Sequence, residues 1–174
     1  MIKKISVLLV AVLFASVLAS AGPAEFNKGK FYLTPQIGLS SWGGSIPFGA
    51  NGEYAISENI GVGGTVMAQF WSEPYWKESL ISIAAEAYYH FLKLNVAKLD
   101  LFVGAGLGYS VVSVTYDTGF TTGSDASSGL NIWPLVGARY YFSPKMAFSL
   151  RLIGSLLGNF TGFGAQAGVT FVLN

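Results

Sequence analysis

An all-β fold, an eight-stranded antiparallel up-and-down barrel that crosses a membrane, is what this sequence predicts, and three observations predict it. Only 11% of the residues are charged while 52% are hydrophobic, against about 25% charged in an ordinary water-soluble domain. Beyond the N-terminal segment no run is long and apolar enough for a membrane helix, which needs about 20 such residues. The apolar residues recur instead at every second position, the period of a strand with unlike faces. A chain of 174 residues is the size of one domain.

Residues 1–21 read as an export signal that is removed. Lys3 and Lys4 form its charged start, Ile5 to Leu18 its apolar run, and Ala19-Ser20-Ala21 its small-residue cleavage site. The segment 22–29 is a short N-terminal extension, and the barrel is expected over 30–174. Without Lys3 and Lys4 the exported chain keeps eight basic and nine acidic residues, with no run of like charge and hence no nucleic-acid footprint. Cysteine is absent, which excludes disulfides, thiolate zinc sites and cysteine lipidation.

Eight alternating segments follow. Two shorter ones lie at 30–41 (Phe31, Leu33, Ile37 and Leu39 against Thr34, Gln36, Gly38 and Ser40) and 48–56 (Phe48, Ala50, Tyr54 and Ile56 against Asn51 and Glu53). The third starts at Ile60, with Val62, Val66, Ala68 and Phe70 opposing Gly61, Gly63, Thr65 and Gln69. At 80–91, Ile81, Ile83, Ala85, Ala87, Tyr89 and Phe91 oppose Ser82, Ala84, Glu86, Tyr88 and His90. At 100–113, Leu101 to Val111 oppose Gly104, Gly106, Gly108 and Ser110. The last three set Ile132, Val136, Ala138, Tyr140 and Phe142 against Asn131, Gly137, Arg139 and Tyr141; Phe148, Leu150 and Leu152 against Ser149 and Arg151; and Phe163 to Leu173 against Gly164, Gln166, Gly168 and Thr170.

Connections alternate in length, as in a transmembrane barrel with short turns on one side and longer loops on the other. Ser57-Glu58-Asn59 and Ser143-Pro144-Lys145 are tight; 42–47, 72–79, 114–129 and 155–161 are expected as loops at the opposite end, and Leu92–Leu99 is long for a short-turn side. The minor face decides between lipid and water. A soluble barrel would be rich in Lys and Glu outside, whereas here that parity carries Gly, Ser, Thr, Gln and Asn, which suit the cramped interior of an eight-stranded barrel. Aromatic girdles are expected at both membrane interfaces: Tyr54, Tyr89, Phe91, Tyr140, Phe142 and Phe171 near the short turns, and Trp42, Phe70, Trp71, Tyr75, Trp76, Tyr109 and Phe163 near the loops.

Four charges fall on the lumen parity, Glu53, Glu86, Arg139 and Arg151, and isolated buried charges are too unfavourable to stand alone. A mutually compensated cluster is therefore expected, with Gly104 and Gly106 clearing the way for Glu86 to meet Arg139, and Gly61 and Gly63 leaving room for Tyr88 and His90. His90 is the sole histidine, and no second ligand is spaced for a metal; a lipid-modifying hydrolase needs a nucleophile and a base within reach of each other, and His90 is expected near the short-turn end, away from the outer leaflet. Gly104-Ala-Gly106-Leu-Gly108 lies inside an alternating strand, not before a helix, and is no nucleotide loop. Asn159-Phe160-Thr161 matches a glycosylation sequon that matters only in a eukaryotic secretory route, and Asp117 and Asp125 in the expected loop read as solvated.

The strand pieces Phe102-Val-Gly-Ala-Gly-Leu-Gly-Tyr109, Gly137-Ala-Arg-Tyr-Tyr-Phe-Ser-Pro144 and Gly164-Ala-Gln-Ala-Gly-Val-Thr-Phe171 carry a resemblance. The chain is similar to the small eight-stranded outer-membrane β-barrel proteins of bacteria, the type of the outer-membrane protein A transmembrane domain and outer-membrane protein X. That resemblance implies the bacterial outer membrane as location, its lipid and the outer-membrane assembly machinery as partners, and no cofactor. Members of that group often end in an aromatic residue read by the machinery; here the last aromatic is Phe171. The chain is expected to act as a monomer without catalysis, its lumen plugged and its surface loops serving envelope structure or contact, the alternative being a narrow channel for small solutes.

Overall fold

A sheet with one apolar and one small polar face can hide both its edges only by closing on itself, and closure is what the computed structural model shows. It describes residues 26–41, 46–92, 98–117, 119–156 and 161–173. Eight strands follow in order: β1 (Phe31–Ser40), β2 (Phe48–Ala55), β3 (Ile60–Glu73), β4 (Trp76–His90), β5 (Leu99–Asp117), β6 (Thr122–Ser143), β7 (Met146–Ser155) and β8 (Gly162–Leu173). Each pairs antiparallel with the next, and β1 pairs with β8 from Phe31↔Leu173 to Ser40↔Gly164 to complete the ring.

Period two governs the burial. Exposed and buried residues alternate without a break from Phe31 to Ile37 in β1 and from Ala147 to Ile153 in β7. The outward parity holds large apolar side chains in the open, among them Ile37, Leu39, Leu107 and Phe163, the last 74% exposed. The inward parity buries Thr34, Asn51, Glu86, Thr170 and both lumen arginines. Such an inside-out distribution is stable only where the outer medium is lipid.

The wall is uneven in height. β5 and β6 have 19 and 22 residues, whereas β1, β2 and β7 have 10, 8 and 10, so at about 3.4 Å per residue β6 is roughly 75 Å along its length and β2 about 27 Å. This corrects two connections expected as loops. Residues 72–79 belong to a hairpin paired up to Glu73↔Trp76 around Pro74-Tyr75, and 114–129 to a hairpin paired up to Asp117↔Thr122. Asp117 Oδ1 accepts the Gly119 N–H (2.9 Å), and Gly119 takes φ +77°, a conformation that favours glycine at this turn. Asp125 likewise accepts from the Ala126 N–H (2.8 Å). The ladder from β6 to β7 runs only from Leu135↔Ile153 downward; Pro134, with no N–H to donate, stands where it stops.

At the end that carries the chain ends of β1 and β8, here called the terminal end, turns are tight. Ser57 Oγ accepts the N–H groups of Asn59 (3.3 Å) and Ile60 (3.0 Å), and Ser143 Oγ accepts that of Lys145 (3.3 Å). Ahead of β1, Phe26 is buried with Tyr32, Ala55, Tyr141 and Ala147, held by the Asn27 N–H on Tyr32 Oη (2.7 Å) and the Gly29 N–H on the Ala55 carbonyl (2.8 Å). A barrel end open to water gains by burying an aromatic ring.

Candidate functional site

Charged side chains meet inside the lumen in two layers. In the layer nearer the terminal end, Glu53 of β2, His90 of β4, Asp100 of β5 and Arg139 of β6 converge from around the ring. His90 Nε2 lies 2.8 Å from Glu53 Oε1 and His90 Nδ1 2.7 Å from Asp100 Oδ1. Arg139 Nη2 donates to Glu53 Oε2, and its Nη1 is 3.8 Å from Asp100 Oδ2. Two ionised carboxylates facing the two ring nitrogens are both satisfied when each nitrogen carries a proton, as in the imidazolium. Two negative and two positive groups then balance. Phe26 stacks on the His90 ring (3.6 Å between centroids, 12° between planes), and the Arg139 guanidinium lies over Phe102 (4.9 Å) and Tyr32 (5.2 Å), so aromatic faces stand against both groups.

The second layer sits one step further in. Arg151 of β7 donates from Nη2 to both oxygens of Glu86 on β4, each at 2.9 Å, and from Nη1 to Thr65 Oγ1 (3.1 Å). Thr65 Oγ1 donates to Glu86 Oε2 (2.7 Å), Asn51 Nδ2 reaches the same oxygen (3.0 Å), and so does the Tyr88 hydroxyl. Charge-assisted bonds of this kind are the strong ones. Every charged group of the two layers is at most 4% exposed.

The structure brings Glu53, Glu86, Arg139 and Arg151 into the lumen but pairs them differently from the expectation. Arg139 meets Glu53, and Arg151 meets Glu86. β2 and β6 stand opposite each other in the ring of eight, and distance across a lumen is set by the stagger of the strands, which no local pattern encodes. The glycines serve accordingly. A Cβ on Gly61 would strike the Glu53 carboxylate rather than Tyr88, and one on Gly106 would lie 2.8 Å from Glu86 Cγ. Asp100 and Phe26 are members that sequence reasoning missed. Asp100 stands on the lumen parity of β5, four residues from Gly104 in the same alternation, which is the signal that was available.

His90 contacts a carboxylate through each ring nitrogen, so neither nitrogen faces a hydroxyl nucleophile. Of the aromatics expected in the girdles, Tyr54, Phe70, Tyr89, Phe91, Tyr109, Phe142, Phe163 and Phe171 are exposed on the outer wall, Tyr140 is half-buried on the same parity, and Tyr75 is exposed in the β3–β4 turn. Trp71 and Trp76 differ. They fall on the lumen-side parity of β3 and β4 and pack edge to face (6.4 Å, 87°), facing each other across the hairpin. Trp42 and most of the Asn159-Phe160-Thr161 sequon lie outside the described residues.

A family model described as outer membrane protein beta-barrel domain matches residues 6–172. Among solved structures, the fold is similar to the outer membrane protein OprG of Pseudomonas aeruginosa (TM-score 0.65, 8% identity, 88% of this chain and 100% of that one). It is also similar to the N-terminal β-barrel domain of OprF from the same organism (0.59, 17%, 84% and 98%) and to the attachment invasion locus protein Ail of Yersinia pestis (0.57, 14%, 84% and 99%). At these identities the likeness is one of fold. Comparison with curated proteins gives no match.

Proposed function

We propose, for a chain that belongs to the outer membrane protein beta-barrel domain family and so resides in the bacterial outer membrane, a non-catalytic role as a plugged scaffold that presents surface segments. The observation that carries this reading is the double ion layer, which with Phe26 fills the terminal half of the lumen. Residues 1–21 act as the export signal, the terminal end faces the periplasm, and the tall β3–β6 wall stands on the outer side as the surface for envelope structure or contact. The barrel works as a monomer after delivery by the outer-membrane assembly machinery.

Single-channel recording of the mature chain, refolded in detergent and inserted into a planar bilayer, tests it. A silent wild type with folding verified is the expected result, and steady wild-type openings would replace the scaffold by a narrow channel whose lumen charges set selectivity. Glu86→Ala run alongside leaves Arg151 without its carboxylate and is expected to leak where the wild type does not.

A further inference from the structure

At the distal end four strands rise past the rest of the wall. β2 begins at Phe48, opposite Ala68 of β3, and the β6–β7 ladder stops at Leu135↔Ile153, so the upper parts of β3–β6 stand clear of the shorter strands across the ring. The inner face of this raised sheet is aromatic. Trp71 follows Met67 and Gln69 on the lumen parity of β3, Trp76 precedes Leu80 and Ser82 on that of β4, and Tyr116 continues the parity of Ser110 on β5. Trp76 and Tyr116 are exposed, and Gly123 makes room for the latter, since a Cβ there would strike the Tyr116 ring. The register sets acids among the rings. Glu73 is paired with Trp76 and Glu78 with Trp71, while Val114 links Glu78 on one side to Asp125 on the other. None of these three carboxylates makes an ion pair among the described residues. Over residues 60–89 and 104–138 the sequence holds one basic residue, Lys77, and it takes the opposite parity of β4.

We propose that this aromatic and acidic face is a docking surface for a lysine- or arginine-bearing segment of another polypeptide. The carboxylates fix the sign of the partner, and the indole faces beside Glu73 and Glu78 are good surfaces for a cation. Extent separates a polypeptide from a single small cation. Glu73 on β3 and Asp125 on β6 stand three strands apart, about 14 Å at the spacing of a sheet, whereas side chains on one face of an extended segment recur at about 7 Å. Val112 and Val114, between the acids, add apolar contact that a bare polycation leaves unused. A second copy of the chain cannot supply the cations, because Lys28, Lys30, Lys98 and Lys145 lie at the terminal end, across the membrane from this face. The inference rests on the reading that the tall wall stands on the outer side, and it names the partner of that wall.

The probe is a short peptide of alternating arginine and threonine carrying a rhodamine label, read by anisotropy against the mature protein in phosphatidylcholine nanodiscs, whose lipid has no net charge. Binding should saturate at low salt and weaken about tenfold at high salt. Asp125→Asn should weaken it roughly threefold, and Glu78→Gln with Asp125→Asn roughly tenfold. Ala126→Lys changes the net charge by the same single unit as Asp125→Asn but on the opposite face of β6, and should leave the affinity within about twofold. Trp76→Leu should cost roughly fivefold. Circular dichroism confirms that each variant is folded, and the exposed Asp125→Asn carries the test if Trp76→Leu is not. Equal losses in Asp125→Asn and Ala126→Lys mark attraction to net charge and overturn the face; spermidine that displaces the peptide at equal concentration overturns the polypeptide in favour of a small polycation. Because the chain has no cysteine, Ser124→Cys reports the side of the membrane through a membrane-impermeant maleimide applied to intact cells. Saturable binding without labelling would break the orientation alone and keep the face, while labelling without saturable binding would break the face alone.

Discussion

The two halves of the lumen are made of opposite materials and fail in opposite ways. Toward the terminal end every cavity-facing charge has its counter-charge, with six ionic groups from five strands and no net balance left over. Toward the distal end, apolar side chains and serines line space that is only partly filled, and the hydrogen bonds are neutral pairs such as Ser82 Oγ with Ser110 Oγ (2.7 Å) and Asn131 Nδ2 to Ser110 Oγ (2.9 Å). A complete ionic network adds little over a well-packed apolar core, yet removing one member leaves a buried charge alone. The lower half is therefore brittle to single substitutions and the upper half tolerant of them.

Glu53→Ala is the sharpest test of that contrast. It strips a carboxylate from both His90 and Arg139, and a loss on the order of 3–5 kcal/mol is expected, read as the urea midpoint in detergent; a change below about 1 kcal/mol would end the claim of brittleness. Next comes Arg151→Ala, which isolates Glu86 and should be destabilising by about 3 kcal/mol. The double variant Arg151→Ala with Glu86→Ala should recover part of that stability while opening a path for ions in bilayer recordings; a double variant no more stable than the single one would show that packing, not charge, holds the layer. Arg139→Ala, by contrast, exposes Glu53 and not Glu86, so an Arg139→Ala with Glu86→Ala pair should show no coupling.

Gly61→Ala places a methyl group against the Glu53 carboxylate and is expected to be destabilising by roughly 1–3 kcal/mol as overpacking, with loss of the effect when Glu53 is shortened to Asp. Smallest of all is Leu80→Ala in the upper half. Its side chain borders a small cavity in the distal lumen, so the change should stay below about 1 kcal/mol, well short of the 2–5 kcal/mol of a closed core; a loss in the core range would mean that the distal lumen is packed shut.

How much of this was legible depends on whether a segment has unlike faces. Where one face meets lipid and the other a narrow lumen, the alternation is loud, and all eight strands are read from it. It falls silent in Thr122-Gly-Ser-Asp-Ala-Ser-Ser-Gly129, where both faces of the β6 hairpin rise clear of the apolar belt and nothing distinguishes them, so a paired strand reads as a loop. Parity also locates the lumen charges on their strands, but partners across a ring depend on stagger, which is why Arg139 was matched with the wrong carboxylate. Asp100 shares the parity of Gly104 at the very start of its segment, where the alternation has only begun, and Phe26 lies where no period exists. The apolar lumen residues Met67, Leu80, Trp133 and Ile153 were invisible because they break the very rule that revealed the strands.

The seam where β1 meets β8 has a meaning in time as well as in space. β3–β4 and β5–β6 join residues separated by a handful of positions, whereas Phe31 and Leu173 stand at opposite ends of the described chain. For a flexible chain the entropy of closing that interval exceeds that of a short hairpin by about 3 kcal/mol. The ladder is interrupted there too. Between Leu33↔Phe171 and Gln36↔Gly168 the backbone pairing lapses at Pro35, and the Thr34 and Thr170 hydroxyls bridge the gap at 2.8 Å. The hairpins are thus the early events of assembly and the seam the late one. Until it shuts, β1 and β8 are two free edges that any passing strand could extend.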